Sequence, residues 1–339
     1  MNDDILLASR ELKNDGVVVL PTETVYGLAA NALSPKAVEK IFEIKGRPLN
    51  DPLILHVLNS SWIEQYAHVE NYLNRIKKIT SRFWPGPITI VLPKKDIIPD
   101  IVTAGHNTVA IRCPKHPICQ EVLRITQFPL AAPSANPFGY VSPTSAGQVR
   151  QTLGNKVNII IDGGQCSVGL ESTILDITQK TPKILRPGAI TADEIAKVLE
   201  EEVADYGAQI ISNSPKTPGQ LKQHYCTNTK LGLFEHHENI YKIPQNSGSK
   251  VAIIFTQKPT NLEKITNRLS ISAENIFWLS EKGEQEVIAR NLFAMLQKLD
   301  SGQYDVILCE RPMRQGVGIA IDDRLLRAAA KFNKGPTNK

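Results

Sequence analysis

The sequence predicts an α/β protein in two domains, and three observations carry that prediction. Short β-branched runs alternate with helical patterns over the first two hundred residues. A stretch rich in Gly, Pro, Ser, Asn and Lys then breaks the pattern, and the alternation resumes beyond it on a smaller scale. At 339 residues the chain is also too long for one typical domain and long enough to bury two cores. The expected division is a larger domain over 1–207, a linker over 208–249, and a small C-terminal α/β domain over 250–339.

In the first domain VVVL (17–20), LILHV (53–57), ITIVL (88–92), TVAIR (108–112), VNIII (157–161) and TILDI (173–177) are predicted strands, with KIL ending another at Arg186. The clearest helix opens at Ser34-Pro35, a cap followed by proline at the first helical position. It runs through AVEKIFEIK and stops at Gly46, delivering Lys45 and Arg47 to a loop. A second helix is expected after Ser142-Pro143, ending near Gly154, and a third after Thr191 over ADEIAKVLEE. Past the linker, VAIIF (251–255), IFWL (276–279) and YDVILCE (304–310) alternate with helices, one of them around EVIARNLFAMLQKLD. That β-α-β-α-β order predicts a small parallel, Rossmann-like sheet. FTQKPT follows its first strand where a dinucleotide site would need GxGxxG, which argues against such a site.

Composition bounds the function. With 42% hydrophobic and 22% charged residues the chain reads as globular, and no apolar run is long enough to span a bilayer. The acidic, amphipathic start lacks the features of a secretory signal, so a cytoplasmic location is expected. The 5 cysteines are odd in number, scattered and never paired as CxxC, which argues against a disulfide framework and a zinc ribbon. His236 and His237 are adjacent with no further ligand at metal spacing, so no metal held by protein side chains is expected. Residues 1–210 carry 21 Lys+Arg against 22 Asp+Glu, net −1, and residues 211–339 carry 18 against 12, net +6. A polyanion contact, where one exists, belongs to the C-terminal part.

Four stretches set polar and small residues beside predicted strands, where α/β enzymes place their sites: 21–32, 45–56, 131–146 and 169–176. Lys45 and Arg47 flank a glycine ahead of Pro48, so a tight loop holds two cations together. An anion such as phosphate would relieve their repulsion, and a solvated surface loop is the other reading. On the first reading both sit on phosphate rather than in the core. Neither a Walker loop nor a kinase-type glycine loop is present, so a nucleotide would need another device. Arg112, a planar fork at a strand end, suits a carboxylate or a structural ion pair. His56 ends another strand and fits either a core position or a ligand contact. Ser134 and Asn136 lie between two prolines in a rigid polar loop. No triad or GxSxG elbow accompanies them.

Taken together, PTETVYGL, KGRPLNDPLILH, FWPGPITIVL, TVAIR, PSAN, ESTILD and LRPG stand in the order and at about the spacing of the YrdC-like family, over residues 10–205. PGQLKQHY (218–225) followed by a small α/β domain further resembles the long, two-domain threonylcarbamoyl-AMP synthases. The resemblance implies a twisted mixed sheet with flanking helices, and an activity that joins L-threonine, bicarbonate or CO2, and ATP into threonylcarbamoyl-AMP and pyrophosphate. It implies a threonine pocket of Thr24, His56, Arg112, Ala132 and Ser172, with Arg112 on the carboxylate. It also implies an ATP site of Lys45, Arg47, Asp51, Thr108, Ser134, Asn136, Ser142, Arg186 and Tyr225, in which Lys45, Arg47, Ser134 and Asn136 stabilise the reacting phosphate. Mg2+ would travel with ATP on phosphate oxygens, and Tyr225 would belong to a lid. A tRNA threonylcarbamoyl transferase complex is the implied downstream acceptor, with a weak tRNA contact and no membrane partner. An RNA-binding module of the same fold is the rival reading, and the near-neutral first domain counts against it.

Overall fold

The helix over Pro35–Lys45 forms for the local reasons its sequence gives. Ser34 stands extended at its N-cap and accepts a bond from the Ala37 amide, Pro35 follows, and Gly46 at φ 61° closes the end. The computed structural model describes residues 2–206, 217–218, 224–235, 249–300 and 302–332. The chain divides into two compact units, one of residues 1–138 and 142–221, the other of 139–141 and 222–339.

Among the described residues the first unit contains strands β1 (Val18–Leu20), β2 (Gly27–Asn31), β3 (Ile54–His56), β4 (Ile88–Pro93), β5 (Thr108–Arg112), β6 (Leu130–Ala131), β7 (Thr173–Asp176) and β8 (Lys183–Arg186). They form one mixed sheet in the order β1-β2-β6-β3-β5-β4-β7-β8. Leu55, Ile111, Ile90, Leu175 and Ile184 share a row and one face, and all belong to the main core with Ile41 and Phe42 of the helix Pro35–Lys45, Ile79 of Leu73–Phe83 and Ile195 of Ala192–Leu199. Because side chains alternate along a strand, the next row, His56, Arg112, Thr89, Ile174 and Arg186, lies on the opposite face. A second core covers that opposite face at β1, β2 and β6, where the helices Asn2–Lys13 and Pro117–Thr126 pack on Val18, Ala29 and Leu130. The polar row stands beyond this second core.

Three expectations change. VNIII (157–161) makes only an isolated bridge, Val19 to Ile160, because β-branched residues favour a strand only where a partner lies alongside for its whole length. β2 and β6 are built from Gly, Leu, Ala and Asn, residues with little β signal, and tertiary pairing alone makes them strands. The helix expected after Pro143 begins at Ala146, since Ser145 and Gln148 complete a reciprocal capping box there.

In the second unit β9 (Lys230–Phe234), β10 (Val251–Gln257), β11 (Ile276–Ser280) and β12 (Val306–Glu310) form a wholly parallel sheet, order β11-β10-β12-β9. β9 lies inside the stretch 208–249 that composition marks as linker. Its five residues KLGLF are a short apolar signal in a polar neighbourhood, and pairing with β12 makes them an edge strand. Phe234, Ile253, Phe255, Ile265 and Leu308 pack as this unit's core. Most of the linker motif, residues 219–223, and both His236 and His237 lie outside the described residues.

Candidate functional site

Lys45 is the last residue of its helix, and Gly46 turns the chain so that Arg47 begins a loop. The Lys45 ammonium nitrogen donates to the carbonyls of Ser134 at 2.6 Å and Asn136 at 2.5 Å, which fastens the Pro133–Pro137 loop to the helix end. Arg47 turns back on its own loop. Its Nε donates to the Asp51 carbonyl at 3.1 Å, its Nη2 to the Pro52 carbonyl at 2.8 Å, and Nη2 lies 2.9 Å from Asp51 Oδ2. The expectation that these two cations stand outside the core is therefore corrected: Lys45 is 4% and Arg47 7% exposed. Once the turn buries them, nearby carbonyl oxygens are the acceptors that make burial tolerable.

Asp51 is wholly buried, with neither carboxylate oxygen hydrogen-bonded. Burial raises its pKa, while Arg47, Lys45 and Arg186 pull it down. Burial, then the neighbouring Arg47, hold Lys45 well below the ordinary lysine range, against the opposing pull of Asp51. Asp51 thus feels the charge of all three cations, although they come from a helix end, a loop and the edge strand β8. Arg186 donates through Nε and Nη2 to the Ser172 carbonyl at 3.1 and 3.0 Å, and through Nη2 to Ser172 Oγ at 3.1 Å. Ser172 Oγ is in turn 2.7 Å from Thr89 Oγ1.

Arg112, at the end of β5, is the register partner of both His56 and Thr89. Its Nη2 donates to Glu23 Oε1 at 2.7 Å, and Glu23 Oε2 accepts from the Lys115 amide at 3.0 Å. The Arg112 Nε is buried without a hydrogen-bond partner, a deficit of about 1–3 kcal/mol unless an acceptor arrives. Burial first, and Arg112 second, lower the His56 pKa to about 3, so this imidazole is neutral at physiological pH. Its Nδ1 lies 3.2 Å from the Ile54 carbonyl.

The other predicted residues are placed as follows. Thr24 is buried, its hydroxyl 2.8 Å from that of Thr22. Ala132 continues β6 and donates its amide to the Ile54 carbonyl at 3.3 Å, and a Cβ added to Gly27 would come within 3.3 Å of its methyl. Ser142 Oγ donates to Glu171 Oε1 at 2.5 Å, with both residues buried. Thr108 shares the face of Arg112 but stands at the far end of β5, about 13 Å away along the strand. There it lines a cavity of about 200 Å³ with Val91, His106, Asn107, Asp176, Thr178, Gln179 and Leu185. Tyr225 is buried in the second unit, stacked on Phe293 at 5.5 Å with the Arg324 guanidinium 5.1 Å from its ring.

Glu23, Thr89 and Glu171 are site-face or site-contact residues that sequence reasoning passed over. A carboxylate inside an otherwise small and apolar motif, as in PTETVYGL and GLESTILD, is the signal that finds the two glutamates, because buried acids need partners.

A mixed α/β unit with a buried row of two arginines, a hydroxyl and a neutral histidine on one sheet face, and a second buried group of Lys45, Arg47 and Asp51 at a helix end, has the polar interior of an enzyme domain. A family profile for Sua5, YciO and YrdC proteins, described as telomere recombination, matches residues 10–188, and one described as the threonylcarbamoyl-AMP synthase C-terminal domain matches 190–330. The chain belongs to the Sua5/YrdC family of threonylcarbamoyl-AMP synthases and is an enzyme of the nucleotidyltransferase type. It is 38% identical to the threonylcarbamoyl-AMP synthase of Pyrococcus abyssi over 337 residues, covering 96% of this chain and 94% of that one. The Bacillus subtilis enzyme of the same name is 36% identical, with 96% and 92% covered. The crystal structure of P. abyssi Sua5 complexed with L-threonine superposes with a TM-score of 0.85 at 36% identity, over 96% of this chain and 94% of that one.

Proposed function

We propose that this enzyme makes threonylcarbamoyl-AMP and pyrophosphate from L-threonine, bicarbonate or CO2, and ATP. The observation that supports the reading is the buried Arg47–Asp51 ion pair, with Lys45 and Arg186 close enough to act on the Asp51 charge, on the unit that also holds Arg112 and neutral His56 in register. Phosphates need several cations, and an amino-acid carboxylate needs one fork. The clustered cations support the first demand and the Arg112 guanidinium the second.

In this reading the threonine amine adds to CO2 with loss of a proton, and a carbamate oxygen attacks the α-phosphorus of ATP. The bond to the bridging oxygen breaks and pyrophosphate leaves. Lys45, Arg47 and Arg186 stabilise phosphate charge, Ser134 and Asn136 supply donors, and Asp51, Thr108 and Ser142 complete the ATP contacts. Arg112 holds the threonine carboxylate, while His56, Thr24, Ala132 and Ser172 shape the pocket around the rest of the molecule. The carboxylates Asp51, Glu171 and Glu23 are each engaged by Arg47, Ser142 and Arg112. Mg2+ would therefore be held by phosphate oxygens, where it would neutralise charge on the triphosphate. Tyr225 would close over the site as part of a lid, and the threonylcarbamoyl group would pass to tRNA on a transferase complex in the cytoplasm. Among the described residues no helix is long and apolar enough to cross a membrane.

The test is to mix purified protein with ATP, bicarbonate and L-threonine and to measure pyrophosphate and the adenylate by mass spectrometry. Product that requires threonine supports the reading. Salt-sensitive RNA binding without turnover would replace it with the rival one.

A further inference from the structure

We infer that Glu23 is a positioning residue for the amino-acid substrate: it grips the Arg112 guanidinium at one nitrogen and leaves the Nε edge for the substrate carboxylate. The inference rests on the reading of Arg112 as the carboxylate receptor.

The geometry of the pair is the starting point. Arginine–carboxylate pairs frequently meet fork to fork, through two parallel bonds along one edge of the guanidinium. Here Glu23 divides its oxygens. Oε1 takes Arg112 Nη2 at 2.7 Å and Oε2 takes the backbone amide of Lys115, three residues further along the same strand end, at 3.0 Å. The side chains are 5% and 7% exposed, so the pair is held largely out of bulk solvent. Arg112 Nε is left buried with no partner. Its register neighbours are a neutral imidazole, His56, and a hydroxyl, Thr89, and neither brings a negative charge. An oxyanion on that edge completes the guanidinium's bonding.

Glu23 is itself held. Its carbonyl accepts from the Val168 amide at 2.8 Å, and the flanking Thr22 hydroxyl donates to the Val25 carbonyl at 2.6 Å while accepting from the Thr24 and Val25 amides. The segment PTETV is thus a rigid mount, and the direction of the Arg112 fork is set by it. Glu23 also cancels the charge of Arg112, so selection of the substrate depends on aimed N–H donors rather than on net attraction.

Glu23→Gln keeps the shape, but its amide presents one acceptor to two donors and the grip fails. With ATP and bicarbonate saturating, KM for L-threonine is expected to rise about tenfold or more, with kcat within about twofold and KM for ATP unchanged. Calorimetric L-threonine binding should weaken by the same factor. Glu23→Asp, one methylene short of the fork, should give the same KM-only signature and serves where the amide variant does not fold. Unchanged or tighter threonine binding overturns the inference. So does a parallel loss of ATP and threonine affinity with a lowered melting temperature, which marks a purely structural pair. Wild-type protein that binds no threonine would instead remove the reading of Arg112, and this inference with it.

Discussion

Lys45 donates to the carbonyl of Ser134 at 2.6 Å and to that of Asn136 at 2.5 Å, so one side chain joins the end of a helix to a loop some ninety residues later in the chain. Two neutral carbonyls, rather than a carboxylate, receive its N–H groups. That fits the direction in which burial and Arg47 drive its pKa. A phosphate brought beside this amine favours its charged form. ATP binding should therefore be accompanied by uptake of up to about one proton between the depressed pKa of Lys45 and the ordinary lysine range, with affinity falling as pH rises through that window. Calorimetry of ATP binding in buffers of different ionisation enthalpy measures the uptake, and Lys45→Met should abolish it. Equal heats in all buffers would show that Lys45 is charged before ATP arrives.

How much of this site was legible beforehand depends on how far apart its partners lie. The helix Pro35–Lys45 and its stop at Gly46 follow from neighbouring residues, and so do the ends of β5 and β8 where Arg112 and Arg186 stand. The row that joins His56, Arg112, Thr89 and Arg186 does not, because it is a matter of register between strands far apart in sequence. The same holds for Glu23 and Arg112, which are 89 positions apart. Burial of Lys45 and Arg47 was also hidden. Spacing shows that two cations are close but says nothing of the carbonyls that surround them. β9 and β6 were missed because their residues have little intrinsic strand signal and a sheet edge or seam imposes the conformation.

Asp51→Asn should tighten ATP. The carboxylate is buried, accepts no hydrogen bond, and sits among the cations assigned to phosphate. A unit negative charge close to a phosphate costs on the order of a few kcal/mol at an effective dielectric near 20. Part of this is offset because Arg47 loses its ion pair, although it keeps the carbonyls of Asp51 and Pro52. The expected outcome is a KM for ATP lower by about tenfold, with threonine KM unchanged, read from initial rates. A raised KM for ATP would show that the Asp51 charge orients Arg47 and that this role outweighs repulsion.

His56 should make the first unit acid-sensitive. Its folded pKa is lowered from 6.5 to about 3 by burial and by Arg112. Above pH 6.5 both folded and unfolded forms are neutral there and the stability is whole. As pH falls from 6.5 towards 3 the unfolded chain takes a proton that the folded one refuses, and stability is lost, in all about 3–6 kcal/mol. His56→Gln, which cannot titrate, should flatten this limb by up to about one proton in urea unfolding followed at several pH values. An acid limb of the same slope in the variant would assign the loss to other groups.

Tyr225 separates a structural from a functional demand on one residue. Its ring is fully buried against Phe293 and beside the Arg324 guanidinium, and its backbone is held at φ 64° although it is not glycine. Truncation leaves a cavity and removes the stacked face, so Tyr225→Ala should destabilise the second unit by about 3–5 kcal/mol, whatever happens to catalysis. Activity lost in that variant is therefore ambiguous. Tyr225→Phe keeps the ring, the stacking and the backbone and removes only the hydroxyl, so its unfolding should differ from wild type by no more than about 1–2 kcal/mol. If the hydroxyl reaches ATP in the closed enzyme, Tyr225→Phe raises KM for ATP or releases hydrolysed intermediate while stability is kept. Should kinetics and product yield match wild type, Tyr225 is an anchor of its own unit, and the lid must owe its contact to another residue.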